Sequence, residues 1–449
     1  MADNFEFTKK ILDSVSSCFC IAKWSGVSLH LETGTTHSCH HPAVHKIPLE
    51  EIEKNPAALH NTQYKIEQRK KMMAGERPSE CDYCWRIEDL STKEISDRVL
   101  KSGANWSLPV LGEIIQNPFS DKFKPRYVEV SFSNKCQFKC SYCSANYSSS
   151  WAEELNKFGN YETGSGWKDN DVLEEETNPY VKAFWQWWPD LKKGIDTFRI
   201  TGGEPLLSPS TFRVLDSLIE NPEPQLNIAI NSNLGAPPVL IQKFNDCVTK
   251  VMEKKAVHSL ELYTSIDTFG PQAEYIRNGL RHETFWNNVD QFLSLHPGCK
   301  ITFMCTFNAF SLFSFIPLLQ KIMELNLKHR SELRKLPIYI DIAFLRFPDY
   351  QTVQILPENY ISYMEKIVQF IDENQWHKTS NSVGFHDTQY IKSKRILEWM
   401  RQGLPPEKKT AMQKRFYQFF KEHDRRRNTD LVATFPELAD FWKSCEAIP

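Results

Sequence analysis

The chain has 449 residues, 41% of them hydrophobic and 24% charged, with a formal net charge of −2. That balance belongs to a globular protein with a substantial core, long enough for one large barrel plus a smaller module. The near-neutral charge gives no global attraction to nucleic acid or to a membrane surface, and no apolar run approaches the ~20 residues of a membrane span.

The N-terminal stretch "MADNFEFTKKILDSVSS" lacks the basic segment and apolar core of a signal peptide, so a cytoplasmic location is expected. Reduced, clustered cysteines then point to metal or catalysis rather than to disulfides. Of the 12 cysteines, eight fall early: Cys18, Cys20, Cys39, Cys81, Cys84, Cys136, Cys140 and Cys143. The alternating "VSLHLETGTTHSC" predicts a hairpin turning at Glu32, Thr33 and Gly34 and ending at Cys39. "CDYC" sets Cys81 and Cys84 as a metal knuckle. Cys20, Cys39, Cys81 and Cys84 complete four thiolates, the number a closed site needs, and Cys18 is an alternative to Cys20. Spacing alone leaves a zinc ribbon and an iron–sulfur site both open. His37, His40, His41 and His45 crowd beside Cys39, as groups behind the thiolates or at the surface.

From residue 126 to 345, strand signals alternate with helix signals. The strands are expected at 126–133, 197–203, 225–233, 259–267, 300–308 and 338–345, with helices such as 208–221 and 283–295 between them. Such alternation implies parallel βαβ units in an open or closed α/β barrel, with functional groups at the C-terminal strand ends. Four motifs meet that rule. "SNKCQFKCSYCSAN" (133–146) follows the first strand, "GGEP" (202–205) the second, "NSN" (231–233) ends the third and "SID" (265–267) the fourth.

The first motif holds Cys136, Cys140 and Cys143. All-thiolate sets select zinc or iron–sulfur, and a cubic [4Fe–4S] cluster has four irons. Three cysteines would hold three irons and leave one open to another ligand; a zinc site completed from elsewhere is the alternative. Downstream, Trp151, Trp167, Trp185, Trp187 and Trp188 crowd residues 144–190. The last three read as packing residues of an amphipathic helix at 179–194, and 159–171 reads as a surface loop or lid. Helices are expected at 357–374, 390–403 and 408–428. Lys414, Arg415, Lys421, Arg425, Arg426 and Arg427 are read as a solvated face, with a phosphate or acidic-peptide contact as the alternative. The scattered Cys247, Cys299, Cys305 and Cys445 read as small buried hydrophobes.

The C-x3-C-x2-C loop with Tyr142 before its last cysteine, followed by "GGEP", resembles the radical S-adenosylmethionine superfamily over roughly residues 125–310. The resemblance implies a partial (β/α)6 TIM-like barrel and a [4Fe–4S] cluster on Cys136, Cys140 and Cys143 whose open iron takes S-adenosylmethionine. Gly202 and Gly203 would approach the methionyl amine, with Glu204 nearby. Ser232 and Asn233 would take polar roles, although Leu234 stands where the family has glycine. Ser265 would meet the ribose within Ser265-Ile266-Asp267. Arg277 would pair with the methionyl carboxylate, or else be an exposed helix-end arginine.

The "CIAKW" strand, the glycine hairpin and "CDYCW" are similar to a SPASM/twitch auxiliary module, here N-terminal rather than C-terminal. That implies one auxiliary [4Fe–4S] cluster on Cys20, Cys39, Cys81 and Cys84. The expected organisation is an auxiliary module at 1–115, a barrel at 116–350 and a helical region at 351–449. The implied function is reductive cleavage of S-adenosylmethionine and hydrogen-atom abstraction, for oxidative modification of a peptide or protein. Dehydrogenation or rearrangement of a small molecule, or modification of RNA, is the alternative within the family. Outside it stands a non-catalytic, metal-stabilised binding protein. A flavodoxin or ferredoxin is the expected electron donor; no membrane partner is expected, and a nucleic-acid partner is not favoured.

Overall fold

Strands form where β-branched and aromatic runs were expected. The computed structural model describes residues 2–90, 95–163, 172–332, 334–379 and 383–449. Trp167 and most of the expected 159–171 loop lie outside them. The chain divides into two compact units. One comprises residues 1–134, 170–231 and 250–260, and the other 135–169, 232–249 and 261–449.

In the first unit, β1 (Gly26–His30) and β2 (Thr35–His37) form the expected antiparallel hairpin, with Ser28 opposite His37 and His30 opposite Thr35. Gly34 makes the turn at φ +62, and a Cβ there would fall 2.0 Å from the Tyr180 ring. β3 (Tyr127–Ser131) then pairs in parallel with β1, from Gly26↔Tyr127 to His30↔Ser131. The cysteine hairpin is thus an extension of the first barrel strand's sheet, which its sequence pattern did not show. β4 (Thr197–Thr201) and β5 (Glu223–Ser232) continue in parallel.

Period-two alternation decides the faces. Val128, Val130, Phe198 and Ile200 are fully buried. Glu129 and Arg199 alternate with them and face each other at 3.8 Å. The apolar face receives the helix Pro179–Leu191, whose Trp188 lies 4.8 Å from Phe198 and donates from Nε1 to Ser217 Oγ at 2.8 Å. The tryptophans of this helix are packing residues, as their helical period implied.

Strand β6 (Val257–Ser265) belongs to the second unit from Glu261 onward; there it, β7 (Lys300–Phe307) and β8 (Ile338–Phe344) pair in parallel, with the helix Phe315–His329 crossing between the last two. The fold class is α/β with parallel strands and intervening helices, as a partial barrel requires. Three C-terminal helices follow, Ile361–Glu373, Asp387–Gln402 and Pro406–Arg427. Cys247, Cys299, Cys305 and Cys445 are all buried. No helix among the described residues is long and apolar enough to cross a membrane.

Candidate functional site

The cysteine loop lies in the second unit and is held by its own backbone. Ser148 Oγ donates to Phe138 O at 2.7 Å and caps the helix Ser149–Phe158 by accepting from Trp151 N. Trp151 Nε1 donates to Cys140 O at 2.9 Å. Residues 139–140 pair antiparallel with 277–278, which sets Cys140 opposite Arg277. Ser141 and Gln351 exchange two bonds of 3.0 Å each, Ser141 Oγ to Gln351 Oε1 and Gln351 Nε2 to Ser141 O. The three thiols are therefore presented by a fixed loop.

N–H donors aim at two of the sulfurs. Phe138 N lies 3.4 Å and Asn233 Nδ2 3.7 Å from Cys136 Sγ, and Arg277 Nη1 lies 3.7 Å from Cys140 Sγ. Such donors favour thiolate. Burial opposes them, raising the Cys140 thiol and pushing Cys143 up to about 12. Without metal, burial wins at Cys140 and Cys143, which keep their protons; metal ligation would reverse this and release them.

Tyr142, Asp267 and Arg277 come together, but chiefly on one another. Asp267 accepts from Arg277 Nε at 2.8 Å, Tyr142 OH at 2.8 Å and Thr306 N at 2.8 Å, and Arg277 Nη2 also reaches Tyr142. Arg277 is buried, so the exposed helix-end reading of it does not hold. Its carboxylate partner is Asp267, and its remaining Nη1 faces the Cys140 sulfur. Burial works against its charge, but Asp267, then Tyr142 and Cys140, outweigh that and raise its pKa.

Asn233 Oδ1 accepts from Gln137 Nε2 at 2.9 Å and Gly235 N at 2.8 Å, tying "NSN" to the cysteine loop. Ser232 Oγ accepts from Leu234 N at 3.0 Å. Leu234 adopts φ +54, so the left-handed backbone natural to a glycine is kept although the residue is not glycine. Left-handed strain costs about 1–2 kcal/mol, but the side chain is 2% exposed, and losing a buried leucine costs about 2–5 kcal/mol. Packing wins, so Leu234→Gly is expected to lower stability by roughly 1–3 kcal/mol in denaturant unfolding. Ser265 ends β6, opposite Met304.

In the first unit, Gly202 has φ +115, and a Cβ on it would lie 2.6 Å from Ser131 Oγ and 2.7 Å from Ser133 O. Gly203 N donates to Ser133 O at 3.1 Å. Glu204 is buried and accepts from Leu206 N at 3.0 Å, capping the short turn Pro205–Leu207. The two glycines thus draw their backbone tightly onto the end of β3 and onto Ser133, three residues before Cys136.

The N-terminal thiols also converge. Cys20, Cys39, Cys81 and Cys84 line one cavity with Ala22, His41, Pro42, Met72 and Trp85. Cys18 is turned away, its thiol donating to Glu76 O at 3.0 Å. Of the four histidines only His41 lines the cavity; it stacks on Tyr83 at 3.7 Å and reaches Asp97 at 2.6 Å. His37 meets Cys39 O and His30, and His45 bonds Thr62 Oγ1 at 3.0 Å. Among the described residues no three His, Cys, Asp or Glu groups are drawn together around a single ion. Four thiols lining one cavity are the number that a closed zinc site or an iron–sulfur cluster takes.

Asp97, Arg98 and Lys101 also line this cavity, and Lys65 interacts electrostatically with Cys39. Lys65 and Arg69, on the helix Gln63–Met73, are 1% and 0% exposed. Their hydrogen-bond partners are neutral. Lys65 Nζ donates to Thr36 Oγ1 at 3.0 Å, and Arg69 to Asn61 Oδ1, Lys23 O and His60. Burial, then Arg69 and Lys23, press the Lys65 ammonium far below its ordinary range, while Cys39 acts the other way. Lys23 pairs with Glu80 and reaches Cys81 Sγ at 3.7 Å. Buried cations without carboxylate partners are costly unless an anion is supplied, and a thiolate-ligated cluster is one. The sequence analysis did not anticipate this burial; the i, i+4 spacing of Lys65 and Arg69 was the available signal.

No family model matches the chain. It is 27% identical over 152 residues to a GTP 3',8-cyclase of Sulfurovum sp. (strain NBC37-1), covering 33% of this chain and 36% of that protein. A GTP 3',8-cyclase of Sulfurimonas denitrificans is 27% identical over 149 residues, covering 33% and 37%. The chain thus spans little more than a third of the length of these relatives. Among solved structures, Streptococcus suis SuiB bound to S-adenosylmethionine aligns with a TM-score of 0.34 at 13% identity, over 77% of this chain and 68% of that one. SuiB bound to the precursor peptide SuiA aligns with a TM-score of 0.32 at 12% identity, over 77% and 69%.

Proposed function

We propose that this chain, a member of the radical S-adenosylmethionine superfamily, is an enzyme that cleaves S-adenosylmethionine reductively and abstracts a hydrogen atom from a peptide or protein, modifying it oxidatively. The observation that carries the reading is the three-thiol loop. Cys136, Cys140 and Cys143 stand on one fixed loop, two of their sulfurs face N–H donors, and Asp267 is engaged by Arg277, Tyr142 and Thr306. Three thiolates would hold three irons of a [4Fe–4S] cluster and leave the fourth for the cofactor. When bound, such a cluster would supply the electron for reductive cleavage of S-adenosylmethionine.

The chain's own residues do the rest. Gly202 and Gly203 are assigned to the methionyl amine, since a backbone without Cβ can be approached closely. Glu204 places a carboxylate in that motif. Ser232 and Asn233 anchor the neighbouring strand end, and Ser265 is assigned to the ribose. Asp267 and Tyr142 hold Arg277 with its remaining N–H toward Cys140, so the guanidinium charge steadies a thiolate. Reduced enzyme is expected to release 5′-deoxyadenosine from S-adenosylmethionine; a reduced, iron-loaded preparation that releases none would refute the reading.

We assign an auxiliary [4Fe–4S] cluster to Cys20, Cys39, Cys81 and Cys84, and a flavodoxin or ferredoxin as electron donor. Lys65 supplies charge to that site. Lys65→Met is therefore expected to raise the melting temperature of cluster-free protein, by removing a buried amine that has no carboxylate partner, and to lower the auxiliary cluster's midpoint potential. Thermal melts and redox titration measure the two. A second substrate reading, a small molecule of the purine nucleotide class, is favoured by the GTP 3',8-cyclase names of the relatives. Incubation of active enzyme with GTP, read by mass spectrometry, separates it from peptide modification.

A further inference from the structure

The basic stretch that closes the helix Pro406–Arg427 was expected to face solvent. Lys421 and Arg425 do, but Arg426 and Arg427 turn inward, with side chains 2% and 1% exposed. Arg427 Nε pairs with Glu154 Oε2 at 3.1 Å, and Nη1 donates to Lys139 O at 2.8 Å, one residue before Cys140. Its guanidinium also lies 4.6 Å from the ring centre of Trp151, whose Nε1 donates to Cys140 O. Glu154 is shared: Lys139 Nζ reaches it at 2.7 Å and Tyr161 OH at 2.7 Å. Arg426 stacks 4.0 Å over Tyr161 and donates to Gly159 O at 2.9 Å, and Phe419 stacks on Tyr161 at 4.6 Å. Every partner belongs to the cysteine loop, the segment that follows it, or the C-terminal helix.

We propose that Arg427 is a positioning residue for the barrel cluster: through Glu154 and the Lys139 carbonyl it locks the Cys140 strand and sets the net charge beside it. This rests on the reading of Cys136, Cys140 and Cys143 as cluster ligands. Two cations share one carboxylate here, so the group carries a net positive charge next to a thiolate. Burial alone would raise the Glu154 carboxyl, but Arg427, then Lys139 and Tyr161, outweigh it and hold it down at about 2. Glu154 is therefore ionised, and the count of charges stands. The buried His423 nearby is kept low, at about 4, first by burial and then by Arg427, so it adds no charge at neutral pH.

The charge count fixes opposite signs for two substitutions. Arg427→Gln removes a positive charge and is expected to make the cluster's midpoint potential more negative. Glu154→Gln removes a negative charge and is expected to make it more positive. Arg427→Lys keeps the charge and is expected to stay near wild type. The measurement is a redox titration of the full-length, anaerobically reconstituted chain, following the iron–sulfur signal that changes when S-adenosylmethionine is added. Unchanged potentials, or shifts of one sign in both Gln variants, would overturn the proposal. Should Arg427→Gln hold no iron, the Lys variant and Glu154→Gln decide by the same signs.

A second readout needs no cluster. In metal-free protein, iodoacetamide is expected to label Cys140 at least about tenfold faster in Arg427→Gln than in wild type, with Arg427→Lys close to wild type. Equal rates in all three overturn the lock. A wild-type protein lacking any iron signal sensitive to S-adenosylmethionine would instead sink the cluster reading, leaving the labelling result to judge the lock by itself.

Discussion

Replacing Cys140 by alanine is expected to abolish 5′-deoxyadenosine release and to halve the bound iron and sulfide. Two clusters of four irons give about eight irons per chain, and losing one leaves about four. The size of the effect follows from the ligand count. With three protein thiolates there is no spare, and Cys140 sits between the Trp151 bond to its carbonyl and the Arg277 guanidinium at its sulfur. Cys81→Ala is expected to remove the other half of the iron while leaving the remaining iron responsive to S-adenosylmethionine. Cys18→Ala is expected to retain all the iron, because its thiol bonds the Glu76 carbonyl rather than lining the cavity. Product release persisting in Cys140→Ala would refute its assignment. Retention of all iron by Cys81→Ala would refute the auxiliary set.

Gly202→Ala is expected to abolish S-adenosylmethionine binding with iron content unchanged. Two costs coincide there. A φ of +115 is one that side chains rarely adopt, and holding it costs about 1–3 kcal/mol. The new methyl would also meet Ser131 Oγ at 2.6 Å and Ser133 O at 2.7 Å, and the second is backbone that cannot rotate away. The backbone must move, and in doing so it withdraws the surface assigned to the methionyl amine. Gly75→Ala is the matched control. Its φ is +79 but nothing lies within 4 Å of its Cβ position, so it carries strain without a clash. Isothermal titration is expected to show wild-type binding in Gly75→Ala and none in Gly202→Ala. Equal binding in both would remove the close-approach role of the glycine.

The sequence made the strands legible because burial imposes a short, repeated code. All six expected strands form where β-branched and aromatic runs were read, and in two of them Val128, Val130, Phe198 and Ile200 form the buried face. The convergence of Cys20, Cys39, Cys81 and Cys84 on one cavity was legible in their spacing; their role as ligands is a proposal. What escaped was every property that depends on partners far apart in the chain. The burial of Arg427 depends on Glu154, 273 residues away, so a helix-local reading assigned it to solvent. The pairing of β1 with β3 joins segments about 100 residues apart through backbone bonds, which no side-chain pattern encodes. Arg277 was read as a partner for the methionyl carboxylate or as an exposed helix-end cation; its enclosure by Asp267 and Tyr142 depends on residues apart in the chain. Leu234 broke the expected glycine pattern, yet the backbone kept the left-handed turn because the buried side chain outweighs the strain.

The central claim is one iron that no side chain of this protein ligates. Electron-nuclear double resonance on the reduced protein, with S-adenosylmethionine labelled at the methionyl nitrogen and carboxylate oxygen, tests it most directly. The account predicts hyperfine coupling from both labels to the cluster, lost in Cys140→Ala. A reduced cluster that shows no coupling to either label, or a site that holds zinc in place of iron, would contradict it.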